Sequence, residues 1–286
     1  VTVSRIVVAA FLLGSLAPAD AAILINEILI NHSSNLTAAD DDREFLEFRS
    51  TTGGVEAMAG LTFLYIEGDG GNTGVIDFAL DLSPYSTGTN GLVLFTDGLT
   101  AWDPAADPAT PINAVEFVND DGGGDDLENG SSTYAIVTGF TGAGGDDLDT
   151  DNDGVLDATP WDSVVSVVGW TEASTSDEFS YAAALGGTTF TGNNGLFDPD
   201  AYVFAPDGEF AFDAFTTDDD TLDDGPWVVG TTGGRALNAS DLVVGNFNPL
   251  FTMTPGSANS VSFTPEPGSL AMAGLATFAL LARQRR

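Results

Sequence analysis

From residue 22 onward the chain alternates short apolar runs with clusters of Gly, Asp, Asn, Thr and Pro. The runs include ILINEILI, LTFLYIEG, GVIDFALDLS, GLVLFTDG, STYAIVTGF, SVVSVVGW and AYVFAP. All are rich in β-branched and aromatic residues, which suit a pleated, half-buried surface. In GVIDFALDL, Ile76, Phe78, Leu80 and Leu82 fall on one side, opposite Asp77 and Asp81. That period of two predicts a strand with one buried and one wet face. In FAPDGEFAFDAF, Pro206, Asp207 and Gly208 signal a turn, and Phe210 and Phe212 alternate with Glu209, Ala211 and Asp213. Helical periodicity is confined to two apolar runs at the ends. Many short strands broken by turn signals predict an all-β body, an antiparallel sandwich or barrel.

The stretches DDGGGDDLENG (120–130) and TTDDDTLDDG (216–225) carry too little apolar surface to join a core and read as loop insertions. Strand-like runs resume directly after each, and no composition shift divides the body, so residues 22–260 are expected to form one domain.

Charge narrows the functions available. The net charge is -36, with 43 acidic residues against 7 basic ones. The basic residues are Arg5, Arg43, Arg49, Arg235, Arg283, Arg285 and Arg286; lysine is absent. Such a surface repels nucleic-acid phosphates and anionic headgroups, so nucleic acid is excluded as a partner, and divalent cations are attracted. With no cysteine, disulfides, thiol catalysis and thiolate metal sites are ruled out. The only histidine, His32, sits in the polar stretch NHSSNLT, a solvated setting, and a Ser-His-Asp triad would have to use it. Lysine Schiff bases and His- or Cys-based zinc sites are excluded too. Paired carboxylates for sugar hydrolysis stay open, but so many acids pair by chance that the pattern carries no weight. The body is therefore expected to be non-enzymatic.

One acidic stretch has an ordered spacing. In DLDTDNDGVLD, residues Asp149, Asp151, Asp153, Gly154 and Asp157 form D-x-D-x-D-G-x-x-D. Calcium takes six to eight oxygens, and this spacing offers carboxylates at loop positions one, three, five and nine, with the Val155 carbonyl at seven. Gly154 permits the sharp turn, and Leu156 is placed to anchor the loop. An EF-hand would place Glu at position twelve, where this chain has Pro160. The loop resembles those of thrombospondin type 3 repeats or half a dockerin. It predicts a structural calcium site; the competing reading is a solvated acidic turn.

The two ends read as addresses. Arg5 precedes an apolar run from Ile6 to Leu16, and Ala19-Asp20-Ala21 fits an A-x-A cleavage pattern, so residues 1–21 are expected to be a signal peptide. Near the other end, residues 268–282 are small and apolar and lead into Arg283, Arg285 and Arg286. The positive-inside rule keeps those arginines cytoplasmic, and the run is shorter than a comfortable span of about 20 residues. A short, weak transmembrane helix is expected.

Two resemblances sharpen this. Ile25-Asn26-Glu27, Glu44 with Glu47, Gly60-Leu61, and Pro255-Gly256-Ser257-Ala258-Asn259 resemble, in order, the motifs of bacterial lamin-tail domains. That resemblance implies an immunoglobulin-like β-sandwich, here about twice the usual length of roughly 100 residues. Glu27, Glu44 and Glu47 are then expected in structural roles near a sheet edge. Pro265, Glu266 and Pro267, followed by the apolar run and the arginine-rich end, closely resemble the PEP-CTERM sorting signal. This implies recognition by an exosortase, removal of the tail at residues 264–286, and a place in the periplasm, at the outer surface or outside the cell. Contact with the membrane is then limited to a transient inner-membrane anchor. The sequence thus points to a calcium-stabilised matrix, biofilm or adhesion protein that could meet extracellular polysaccharide or another surface protein. A secreted hydrolase, or its accessory module, is the alternative.

Overall fold

The structure is a computed structural model that describes residues 22–30, 44–96, 106–115, 117, 127, 130–171, 178–191, 201–205, 208–213, 227–232, 235–236 and 254–259. Described strands are β1 (Ile23–Leu29), β2 (Phe45–Ser50), β3 (Leu61–Glu67), β4 (Ile76–Asp81), β5 (Leu92–Thr96), β6 (Ile112–Ala114), β7 (Ser132–Thr138), β8 (Ser163–Thr171), β9 (Thr188–Thr191), β10 (Ala201–Ala205), β11 (Gly208–Asp213), β12 (Trp227–Thr232) and β13 (Arg235–Ala236). They form an eight-stranded sheet, in the order β13-β12-β11-β10-β1-β2-β5-β6, and a five-stranded sheet, β4-β3-β7-β8-β9. Each expected apolar run forms a strand, and no helix occurs among the described residues.

The sheets are mixed rather than purely antiparallel, because β6 pairs with β5 and β9 with β8 in parallel. Parallel neighbours need a crossover connection instead of a tight turn. Residues 178–187, between β8 and β9, pack Phe179, Tyr181, Ala182 and Leu185 on the outer face of the five-stranded sheet.

One apolar cluster joins the inner faces of both sheets. Ile23, Ile25, Ile28, Leu46, Phe48, Val93 and Phe95 come from the larger sheet, and Phe63, Tyr65, Phe78, Tyr134, Ile136 and Trp170 from the smaller. Phe48 meets Phe63 across the interface with ring centroids 5.4 Å apart, and Tyr134 stacks on Tyr65 at 5.1 Å. Buried aromatics of this kind carry much of a core's stabilisation, and a Trp or Tyr there needs a partner for its polar end. Trp170 finds one, its indole N–H donating to the Gly130 carbonyl at 2.9 Å.

A second cluster lies on the outer face of the five-stranded sheet. Leu64, Ile66, Ile76, Ala135 and Val137 pack there with Leu148, Tyr181 and Ala182 from the covering loops. The five-stranded sheet is therefore buried on both faces. In keeping with this, β7 (STYAIVT) is buried at every position but the last.

The structure departs from the sequence pattern at β4, at β11 and at Leu127. In β4, Ile76 joins the outer cluster while Phe78, Leu80 and Leu82 serve the inner one. A bulge passes over Asp77, since Tyr65 pairs with Phe78 and Ile66 with Ile76, and Asp77 is fully buried rather than wet. One extra residue shifts the alternation between faces. In β11, Ala211 faces the shared core, while Phe210 is buried opposite it. Within the 120–130 insertion, Leu127 lies in the main core, and its N–H donates to the Glu44 carboxylate at 2.9 Å.

Candidate metal centre

The Asp149–Asp157 loop lies over the outer cluster and is anchored at both ends. Leu148 is buried there and Leu156 packs against it. The Leu148 N–H donates to the Gly74 carbonyl at 2.9 Å, and the Asp157 N–H donates to the Leu148 carbonyl at 2.7 Å. Asn152 and Gly154 take positive φ, 52° and 81°, which curls the chain back on itself. Asn and Gly tolerate this left-handed region best. With its amide oriented to satisfy both neighbours, Asn152 reaches the Asp149 and Thr73 carbonyls at 2.9 and 3.1 Å.

Asp149 is the buried centre of the loop. Its carboxylate accepts from the Asp153 N–H at 3.1 Å, the Gly154 N–H at 2.8 Å and the Tyr181 hydroxyl at 2.8 Å. Burial and the Asp149 contact push the Tyr181 hydroxyl well up, so it remains a donor. Asp151 and Asp153 are exposed, and one carboxylate oxygen from each of Asp149, Asp151 and Asp153 lies within 4.8 Å of the others. Calcium–oxygen distances of about 2.3–2.6 Å put ligand oxygens within that spacing. The charge of Asp153 raises the Asp151 carboxyl pKa, with Asp157 and Asp149 adding to the effect. A divalent cation among them would remove that repulsion.

Asp157 lies outside this trio, with its Oδ2 accepting from the Thr150 N–H at 3.0 Å and the Thr150 hydroxyl at 2.5 Å. Asp157 thus closes the loop. Val155 is 64% exposed, leaving its end of the loop open to solvent. No local pattern announces Tyr181, which arrives from 32 residues away. Gly74, which supports Asp149 from the β3–β4 connection, was equally hidden. A Cβ on Gly74 would stand 2.5 Å from the Asp149 Cβ, at a backbone φ of +88°. Gly74→Ala is therefore expected to cost about 2 kcal/mol and to displace Asp149, readable as a lower midpoint in urea.

The residues carrying the lamin-tail resemblance also converge. Asn26 donates to Glu47, the Gly256 N–H donates to the other Glu47 oxygen, and the Thr254 N–H donates to Glu27 at 3.1 Å. Asn259 ties the same element to the Phe204 carbonyl at 2.8 Å. Residues 254–259 thereby cover the face of β1 and β2 that turns away from the core. Both carboxylates are fully buried in the interior of the eight-stranded sheet, not near its edge. Glu44 is buried as well and holds Leu127.

Residues 263–286 match the PEP-CTERM protein-sorting motif. The chain carries a sorting signal. Pro265, Glu266, Pro267, Arg283, Arg285 and Arg286 all fall within the PEP-CTERM match. The motif is the recognition signal for an exosortase and marks an exported protein anchored at the membrane through its tail. Among curated proteins none matches the chain. The expected signal peptide at 1–21, the tail helix at about 268–282, His32 and the 216–225 insertion lie outside the described residues. Among the described residues, no helix is long and apolar enough to cross a membrane.

Proposed function

We propose that this is a non-enzymatic surface protein, sorted by an exosortase, that serves in a matrix or adhesion and is stabilised by calcium. The observation that carries this reading is the PEP-CTERM match at residues 263–286. The buried Asn26–Glu47–Gly256 and Glu27–Thr254 contacts support a lamin-tail-like, immunoglobulin-like sandwich as its body. In that arrangement the matching glutamates hold the fold together and do no chemistry. The Asp149, Asp151 and Asp153 trio supports a structural calcium site, with Val155 and Asp157 completing the loop. The ion would fix the loop layer over the outer face of the five-stranded sheet.

Sorting is tested in a host with an exosortase. The parent is expected to lose its tail and leave the inner membrane, whereas replacing Pro265, Glu266 and Pro267 with alanine leaves a full-length, membrane-bound precursor. Identical processing of both proteins would refute the assignment. The purified body is expected to show no turnover on polysaccharide, ester or phosphodiester substrates. Hydrolysis abolished by one Asp or Glu substitution would establish the hydrolase instead.

A further inference from the structure

In a chain with 43 acidic residues, Arg49 is a cation to which no ion pair comes among the described residues. Its Nε is buried without a hydrogen-bond partner, and its guanidinium lies over the Phe204 ring at 4.0 Å. A guanidinium stays charged in proteins, and a partly buried charge is costly unless it is paired.

Arg49 borders a cavity of about 290 Å³ at the end of β2, walled by Asn26, Ser50, Asn90, Phe204 and Asn259 among others. That is near the lower limit for a small-molecule site, the size of one sugar ring or amino acid. The wall is held from behind. Asn90 donates to Thr110 at 2.7 Å, Asn259 to the Phe204 carbonyl at 2.8 Å, and Asn26 to Glu47. Each amide nitrogen has a second proton that these bonds do not use. Burial pushes the Glu47 carboxyl up to about 8, so the acid behind the wall is largely neutral near pH 7 and does not cancel the arginine.

We propose that this cavity binds a carboxylate-bearing sugar-sized ligand, with the Arg49 guanidinium gripping the carboxylate and the asparagine amides reading the neighbouring hydroxyls. The fork of an arginine matches a carboxylate in two-point geometry, and such charge-assisted bonds are about twice as strong as neutral ones. An oxyanion elsewhere on so acidic a surface would be repelled.

Calorimetric titration of the full chain with D-glucuronate, D-glucose and sulfate tests the proposal. Saturable glucuronate binding is expected, with glucose and sulfate each weaker by about tenfold or more. Glucose as good as glucuronate would remove the carboxylate from the argument, and sulfate as good as glucuronate would remove the sugar. Arg49→Gln is expected to lose glucuronate affinity by at least about tenfold while keeping the parent's near-ultraviolet dichroism. Should that variant fail to fold, Asn90→Asp decides, because a negative charge in the wall should abolish binding. Retained affinity in either folded variant, or no glucuronate binding by the parent, overturns the proposal.

Discussion

Raising the pH from about 5 to about 8 is expected to destabilise this protein, and Glu67→Gln to remove about a third of that loss. Glu67 is buried at the end of β3, and its pKa is pushed up to about 11, mainly by burial, then by hydrogen bonds and charge from Asp77 and Asp69. The Tyr65 hydroxyl donates to it at 3.1 Å. Burial also pushes Glu47 up to about 8, against the opposing hydrogen bonds from Asn26 and Gly256. Glu27 is raised by burial first and by the charge of Glu47 second.

For each, the folded state holds its proton more tightly than the unfolded chain. The stabilisation is therefore complete below the ordinary glutamate value and is lost as pH climbs towards the folded one. Glu47 gives up its share between about 4.5 and about 8, and Glu67 continues to lose up to about 11. Each such group changes stability by up to about 1.4 kcal/mol per pH unit in its window. Chemical denaturation at fixed high salt, across this range, measures the slope without the general charge repulsion. A glutamine at position 67 keeps an acceptor for Tyr65 and a donor for the neighbouring acids, so Glu67→Gln should flatten the curve. An equal slope in the parent and the variant would refute the buried-proton account.

Calcium is expected to raise the melting temperature by about 5–10 °C when present at a hundred times its dissociation constant. That follows from a linkage gain of about 2.7 kcal/mol, converted at the usual few degrees per kcal/mol for a domain of this size. Asp151→Ala together with Asp153→Ala should abolish the gain and leave the calcium-free melting point nearly unchanged, because both side chains are exposed. Asp149 is unsuitable for this test, since its carboxylate also holds Tyr181 and the loop's own N–H groups. Magnesium, which demands a tight octahedral shell, should give less. A parent protein indifferent to calcium, or a variant that keeps the full gain, would sink the site.

The strands were legible because β-branched and aromatic runs between turn residues can bury a face in only a few ways. The Asp149, Asp151 and Asp153 cluster was legible as a spacing, since side chains close in sequence are close in space whatever the fold around them. The sequence also set the all-β class, the surplus of negative charge, and the sorting motif, which depends on local order alone.

What required the tertiary structure was everything made by residues distant in the chain. The Asp77 bulge reversed the face of Ile76, because one inserted residue undoes a period of two. Leu127 entered the core from an acidic loop, and Tyr181 came from beyond β8 to hold Asp149. Glu27 and Glu47 became fully buried only when residues 254–259 folded over them, some 200 positions later, and the same closure formed the Arg49 cavity. Composition fixes how much charge a chain carries. Which charges are buried, paired or left open to a ligand depends on long-range contacts, and those contacts set the proton affinities and sites of this protein.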